Sequence, residues 1–269
     1  MTGGWESPLG QHRTMHGRVV EYLGRRIVSG AFPDGSRLPN EEELAARLKV
    51  SRGGVREAVK ALAAKGLVEP RPRLGTRVLP RHQWNLMDRE VIDWRGETGD
   101  PEFLRDLLEL RLMVEPGASQ LAADRATDDQ IAVLETAYAA MASHASRLPA
   151  EGTAFVKADL AFHLTLLRAS DNQLIEQLGR LLETSLHHGL AASSHVPGGV
   201  AATLPQHHAV LVAVRDHRPS AAHRAMKQLI ETTSTAVKQM VDQGSDQGPD
   251  RPGRTDRPGR WPGQAQSSG

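Results

Sequence analysis

The stretch from Gly35 to Val78, GSRLPNEEELAARLKVSRGGVREAVKALAAKGLVEPRPRLGTRV, limits what this chain can fold into more than any other. Asn40 stands where a helix N-cap belongs, and Glu43, three residues on, can close a capping box; a short helix with Leu44, Ala45 and Leu48 inward is predicted. It stops at Lys49-Val50. Ser51 is a second cap, and Val55, Val59, Leu62 and Ala63 then recur at helical spacing until Gly66. Two helices joined by a turn of three or four residues make a helix-turn-helix. After Gly66 the period changes: Leu67-Val68-Glu69 and Thr76-Arg77-Val78 read as short strands around a turn from Pro70 to Gly75, which is a wing. Upstream, from Met15, the residues Val19, Val20, Leu23, Ile27 and Val28 trace a further helix that ends at Ser29-Gly30.

The second helix of the pair opens with Ser51, Arg52, Gly53, Gly54 and Arg56, which sets a hydroxyl, two guanidinium groups and bare backbone at the positive end of a helix. Two glycines in a first helical turn cost about 1 kcal/mol each relative to Ala, so close approach by a partner is their rationale. One such arginine would be an ordinary solvated charge. Together with the wing residues Arg71, Arg73 and Arg77 they form a surface suited to a phosphate backbone, and double-stranded DNA is the expected partner. Charge along the chain agrees. The net of +1 hides fourteen Lys/Arg against eight Asp/Glu in residues 1–80, then nineteen against twenty-four in the remainder. A basic module precedes an acidic one, and only the first calls for a polyanion.

The chain has no cysteine, so neither disulfides nor thiolate chemistry can operate. No apolar run approaches about 20 residues and Met1–Gln11 lacks a hydrophobic segment, so the expectation is a cytoplasmic protein with no membrane span or secretory signal.

Residues 1–14 read as a flexible arm, and 15–79 as the winged helix-turn-helix domain. Residues 80–100 form a connector whose Trp84, Leu86, Met87, Val91, Ile92 and Trp94 are too apolar to stay in water and should pack between the domains. From Pro101 to Gln243 only helical periodicity is found. Leu104, Leu107, Leu108, Leu112, Val114 and Leu121 mark a long helix that Pro116 should kink. Thr127 with Gln130 caps a helix through Met141, and others follow at about 152–169, 172–190, 204–216 and 220–241. The last should open at Ser220, after Pro219. Residues 244–269, rich in Gly, Pro, Asp and Arg, read as a disordered tail. The fold class expected is mostly α: an N-terminal winged helix-turn-helix followed by a C-terminal antiparallel all-α helical bundle over 101–243.

Inside the bundle, Asp159 and His163 stand four apart and share one helical face, a spacing that can hold a divalent cation, with His207 as a third ligand from another helix. The plainer reading is a hydrogen bond, since twelve histidines are scattered along the chain. Arg111 lies within ELRLMVEP, where a guanidinium must be paired, either with Glu115 or with the carboxylate of an incoming acid.

Gly30-Ala31-Phe32-Pro33-Asp34-Gly35, Leu38-Pro39, Glu43-Leu44-Ala45, Val50-Ser51-Arg52, Val55-Arg56-Glu57-Ala58, Leu62, Gly66-Leu67-Val68 and Gly75-Thr76 resemble, without gaps, the N-terminal domain of GntR-type bacterial transcription regulators. Where some members carry a DNA-contacting arginine this chain has Glu42, so no contact is carried to that position. Asp159-Leu160-Ala161-Phe162-His163 with Asn172 and Leu174, and His207-His208-Ala209-Val210-Leu211 with Ala213-Val214-Arg215, resemble the ligand-binding (FCD) domain of the FadR subfamily. That resemblance implies a metal such as zinc on Asp159, His163 and His207. It puts the fourth ligand at Leu229, which cannot coordinate; His223, six residues earlier, falls on another side of its helix. It also turns Arg111 toward an effector carboxylate and adds Asn172 to the effector-binding set. Gln83-Trp84-Asn85, Asp88, Val91, Trp94 and Val114-Glu115-Pro116 resemble members that likewise lack the fourth histidine, and imply a sugar acid such as galactonate or gluconate.

The reading that follows is a homodimeric repressor that grips a palindromic operator and releases it when a small carboxylate fills the bundle. Two alternatives stand beside it: an acyl-CoA-responsive regulator of the same subfamily, and a metal-dependent enzyme built on Asp159, His163 and His207.

Overall fold

The computed structural model describes residues 15–147, 152–179, 183 and 203–246, with side chains to residue 235 in the last helix. The arm 1–14, most of the segment expected to be helical at 172–190, the stretch from Leu190 to Pro205 up to residue 202, and the tail beyond 246 lie outside the described residues.

The first unit is built as its caps dictate. Helix α1 (Met15–Val28) buries Val19, Val20, Leu23, Ile27 and Val28. Helix α2 (Glu41–Leu48) opens with the full capping box: Asn40 Oδ1 accepts from Glu43 N at 2.9 Å and Asn40 N donates to Glu43 Oε2 at 3.3 Å. Lys49 then adopts φ 55°, a left-handed residue that ends α2, and the helix α3 (Arg52–Ala64) begins after a three-residue turn, Lys49–Ser51. Ser51 Oγ accepts from Gly54 N at 3.1 Å, which satisfies one of the free amides of α3. Strands β1 (Val68–Arg71) and β2 (Gly75–Val78) pair antiparallel in the register Val68↔Val78 to Arg71↔Gly75.

The wing is longer than the sequence pattern indicates. Pro70 belongs to β1, opposite Thr76, and the turn shrinks to Pro72-Arg73-Leu74, with Arg73 at φ 63° and Gly75 at φ 84°. Proline is tolerated in β1 because the hairpin has only one partner strand there, so its missing N–H faces an edge. Residues 35–38 run along the outer side of β2, with Leu38 N donating to Thr76 O at 2.9 Å and Val78 N to Ser36 O at 2.9 Å. The wing is thereby tied to the loop ahead of α2.

The connector docks mainly on this first unit and also touches the start of the second, where the Arg95 guanidinium lies over the Phe103 ring at 5.2 Å. After a 3-10 turn (Arg81–Gln83), Trp84 is buried with its Nε1 donating to Leu79 O at 2.9 Å. Helix α4 (Arg89–Glu97) follows, and Trp84, Val91 and Trp94 share one core with Leu23, Ile27, Val59 and Leu62. Two glycines make room. A Cβ on Gly24 would lie 2.1 Å from the Trp94 ring, and one on Gly66 would lie 2.5 Å from Gln83 O. Lys65 adds charge to the seam, with Nζ 2.8 Å from Asp88 Oδ2 and 2.6 Å from Glu90 Oε2.

The second unit is helical throughout its described residues: α5 (Pro101–Arg125), α6 (Asp128–Ala145), α7 (Gly152–Ala169), α8 (described over 173–179), α9 (Leu204–Arg215) and α10 (Pro219–Asp246). Asp100 caps α5 and its Oδ2 also takes Arg95 at 2.9 Å, joining α4 to α5. Thr127 and Gln130 form the expected capping box on α6. Helix α10 starts at Pro219 and not at Ser220; its first residue needs no N–H, so proline fits the first helical position itself.

Helix α5 is the single long element expected, running past Pro116 to Arg125, but the apolar stripe expected to face inward does not do so throughout: Leu112, Val114 and Leu121 are only half-buried. Its buried face instead carries Arg111, Glu115, Ser119 and the small residues Ala118, Ala122 and Ala123. Small side chains let α10 and α7 approach closely, and polar residues sit inside because they answer one another. The core beneath is apolar, with Leu134, Met141, Phe155, Phe162, Leu166, Val210, Met226 and Leu229 all buried.

Candidate functional sites: a basic face and a buried donor cluster

On the first unit, Ser51, Arg52, Gly53, Arg56, Arg71, Arg73 and Arg77 are exposed and Gly54 is half-exposed. The space over Gly53 and Gly54 is open: a Cβ there would meet nothing nearer than Ser51 Oγ, at 3.9 and 3.4 Å. No internal packing explains these glycines. Arg52 stands at the first residue of α3. Arg56 is engaged, since its Nη2 lies 2.9 Å and its Nε 3.2 Å from Glu41 Oε2. Arg71 Nε pairs with Glu69 Oε2 at 2.8 Å along its own strand. The Arg77 guanidinium folds over Gly35, 3.3 Å from where a Cβ would be. Leu74, exposed at the wing tip between these arginines, is a feature that the sequence pattern did not single out.

In the second unit, α5, α7 and α9 bring five ionisable side chains together: Arg111, Glu115, Asp159, His163 and His207, each no more than 3% exposed. The donor atoms of Asp159, His163 and His207 all lie within 4.8 Å of one another. Their orientation is set from behind. His207 Nδ1 is 2.9 Å from Thr203 O, an acceptor only, so Nδ1 carries a proton and Nε2 is the nitrogen left to face Asp159. That Nε2 is 2.9 Å from Asp159 Oδ1, yet neither atom makes an aligned hydrogen bond.

His163 follows the same logic. Arg111 Nη2, which can only donate, lies 3.2 Å from His163 Nε2, so Nε2 accepts and Nδ1 carries the proton, facing Glu115 Oε2 at 2.7 Å. The line to Glu115 is short but poorly aligned. His163 Nε2 is 3.9 Å from Asp159 Oδ2. Two imidazole nitrogens and a carboxylate therefore converge on one buried point.

Burial would push the Glu115 carboxyl up, but Arg111 and His163 outweigh it and hold it at about 2. Asp159 is likewise opposed by burial and held below the usual carboxylate range by His207, His163 and Arg111. Both are anions at neutral pH.

Glu115 is the member that the sequence reading set apart as a mere partner. Arg111 Nε does pair with Glu115 Oε1, at 2.6 Å, so the guanidinium is held inside the protein. The signal was the spacing of four, on the face that also carries Arg111. Asn172 caps α8: its Oδ1 accepts from Leu174 N at 3.0 Å and Ile175 N at 3.2 Å. Leu229 is buried in the apolar core, and among the described residues no fourth donor joins the cluster. His223 is half-buried and outside it.

The donor set fits a divalent metal. Two neutral imidazoles and one carboxylate suit zinc or a related ion, and the orphaned buried atoms Asp159 Oδ1, Asp159 Oδ2 and His207 Nε2 are what a bound cation would satisfy. Three protein ligands leave one position for a ligand oxygen.

A winged helix-turn-helix with an open, basic helix start, followed by an all-helical unit around a polar buried cluster, defines a two-domain DNA-binding regulator. Residues 16–78 match the bacterial regulatory proteins of the gntR family, and residues 106–232 match the FCD domain. The chain belongs to the GntR family of bacterial transcription regulators, in its FCD-bearing branch.

Among its relatives is the galactonate operon transcriptional repressor of Escherichia coli, 32% identical over 227 residues, which span 83% of this chain and 97% of that protein. The E. coli regulator YieP is 34% identical over 215 residues, 80% of this chain and 91% of that protein. The solved structure of Lar, which controls expression of the Listeria monocytogenes agr system, aligns with a TM-score of 0.60 over 86% of this chain and all of its own, at 16% identity, and shows the shared fold alone. These domains and relatives are regulators of transcription and not enzymes. Among the described residues no helix is long and apolar enough to cross a membrane.

Proposed function

We propose that this regulator is a cytoplasmic homodimer that represses sugar-acid catabolic genes, binds a palindromic operator through α3 and the wing, and lets go when a small carboxylate occupies a metal site in the bundle. The observation that carries this reading is the convergence of the Asp159, His163 and His207 donor atoms. With neutral imidazoles the buried group holds two carboxylates against one guanidinium, a charge of minus one. A divalent cation makes it plus one, and the carboxylate of an aldonate or keto-deoxy acid completes both the coordination and the neutrality. A cluster of five ionisable groups also favours a polar acid over an acyl chain. The galactonate operon repressor supplies the chemical class.

Ser51, Arg52, Gly53, Gly54 and Arg56 would contact the major-groove face, and Arg71, Arg73 and Arg77 the flanking backbone. Dimerisation would use the outer face of α5, where Leu110, Met113, Val114, Gly117 and Leu121 form a stripe at helical spacing; Met113 is 81% exposed. A two-fold base carrying two heads is what a palindrome requires.

Thermal-shift screening of the full chain against aldonic acids, each with and without zinc, tests the effector reading. The expected result is a shift with zinc that grows with one acid. No shift with zinc, with any acid or with any pair would contradict it.

A further inference from the structure

Arg111 stands where it can do one of two things. Its Nη2 donates to His163 Nε2 at 3.2 Å, while Nε holds Glu115 Oε1 at 2.6 Å and Nη2 also reaches Glu115 Oε2 at 3.5 Å. All three side chains are buried. An imidazole nitrogen has a single in-plane lone pair. It can accept from a guanidinium or bind a cation at about 2.0–2.1 Å, and the two acts exclude each other.

We propose that Arg111 is a gate on the metal site: its guanidinium blocks the His163 lone pair, and a metal ion enters only by displacing it. Displacement leaves Arg111 Nε on Glu115 and turns the nitrogens that faced His163 toward the open coordination position. There a planar fork of donors matches a carboxylate. Metal thus comes first and arms Arg111; the acid comes second and is held by both. This rests on the metal reading above and assigns to Arg111 an action that opposes metal binding, the reverse of a supporting role.

The test separates competition from charge. Arg111→Ala alone would leave Glu115 and Asp159 as uncompensated buried anions, which risks the fold. The double variant Arg111→Met/Glu115→Gln removes one charge of each sign, keeps an acceptor for His163 Nδ1, and leaves the net charge of the cluster unchanged. Zinc affinity of the full-length apo protein and of this variant would be measured by competition with a chromophoric chelator. The gate predicts on the order of tenfold tighter zinc binding in the variant. Zinc binding by the variant but not by the parent would support the gate in its strongest form and contradict the metal-dependent effector reading. Equal or weaker binding by the variant would overturn the gate and leave the metal reading standing. Binding by neither protein would overturn both.

Discussion

Arg56 on α3 is clamped to Glu41 at the start of α2, through contacts of 2.9 and 3.2 Å to a single carboxylate oxygen. The guanidinium lowers the Glu41 carboxyl below its ordinary range through this hydrogen bond. The Arg56 side chain is 58% exposed, so the pair links α2 to α3 but adds little stability. DNA contact by Arg56 would then be made with its free edge or after exchange of Glu41 for a phosphate.

Operator affinity should therefore respond to both arginines of α3 while stability does not. Arg52→Ala and Arg56→Ala are each expected to cost about 1–3 kcal/mol in binding to a duplex selected from a random pool, with under about 0.5 kcal/mol change in unfolding free energy. Gel-shift titration beside denaturant unfolding measures the two. Unchanged affinity in both variants would remove α3 from the interface.

The connector's seat on the first unit is testable through Gly24. Gly24→Val drives a side chain into the Trp94 ring and should cost about 1–3 kcal/mol, while Trp94→Ala should cost about 3–5 kcal/mol. In the double variant the valine gains room, so the two costs should fall short of adding by about 1 kcal/mol or more. Additive losses would mean that the tryptophan does not rest on Gly24.

Asp93 gives a pH dependence of known sign. Burial raises its carboxyl above the ordinary value, against the pull of Arg89 and Arg25, and its Oδ1 has no hydrogen-bond partner. A raised folded-state value means that ionisation opposes folding, and that the penalty disappears as pH falls through that value toward 3.8. Asp93→Asn should stabilise the protein at pH 7, by less than about 1 kcal/mol because the group is only partly buried, and should lose that advantage near pH 4. Melting curves of both proteins across this range provide the comparison; a variant less stable at pH 7 would contradict the assignment.

The exposed stripe on α5 predicts the assembly. Met113→Asp should yield monomers in sedimentation velocity, with the melting temperature of the isolated chain little changed and operator binding weakened by at least about tenfold, since one head loses the help of its twin. A dimer that survives this change would place the two-fold axis elsewhere.

How much of this was legible in the sequence depended on whether a residue's role is local. Asn40, Ser51 and Thr127 cap helices through bonds to residues three positions on, and all three were readable from spacing. That Trp94 would dock was readable from its apolar neighbours, but its seat was not, because that depends on Gly24 seventy residues away presenting no side chain. On α5 the hydrophobic pattern misled: the leucines that mark the stripe are partly outward, and the inward face is built from alanines around Arg111 and Glu115. A buried ion pair looks like a surface pair in sequence. Asp159 and His163 were visible as neighbours on a helix, but the contacts that orient the donor atoms come from Glu115 and Arg111 on α5, and from Thr203 behind His207.

The central claim is that what fills the bundle governs the grip of the basic face on DNA. Fluorescence anisotropy of a selected duplex, titrated with the zinc-loaded protein with and without the acid found by thermal shift, measures that link directly. The account predicts that the acid weakens duplex binding by at least about tenfold and that Asp159→Ala binds the duplex normally yet ignores the acid. Equal affinity with and without an acid that demonstrably binds the protein would contradict it.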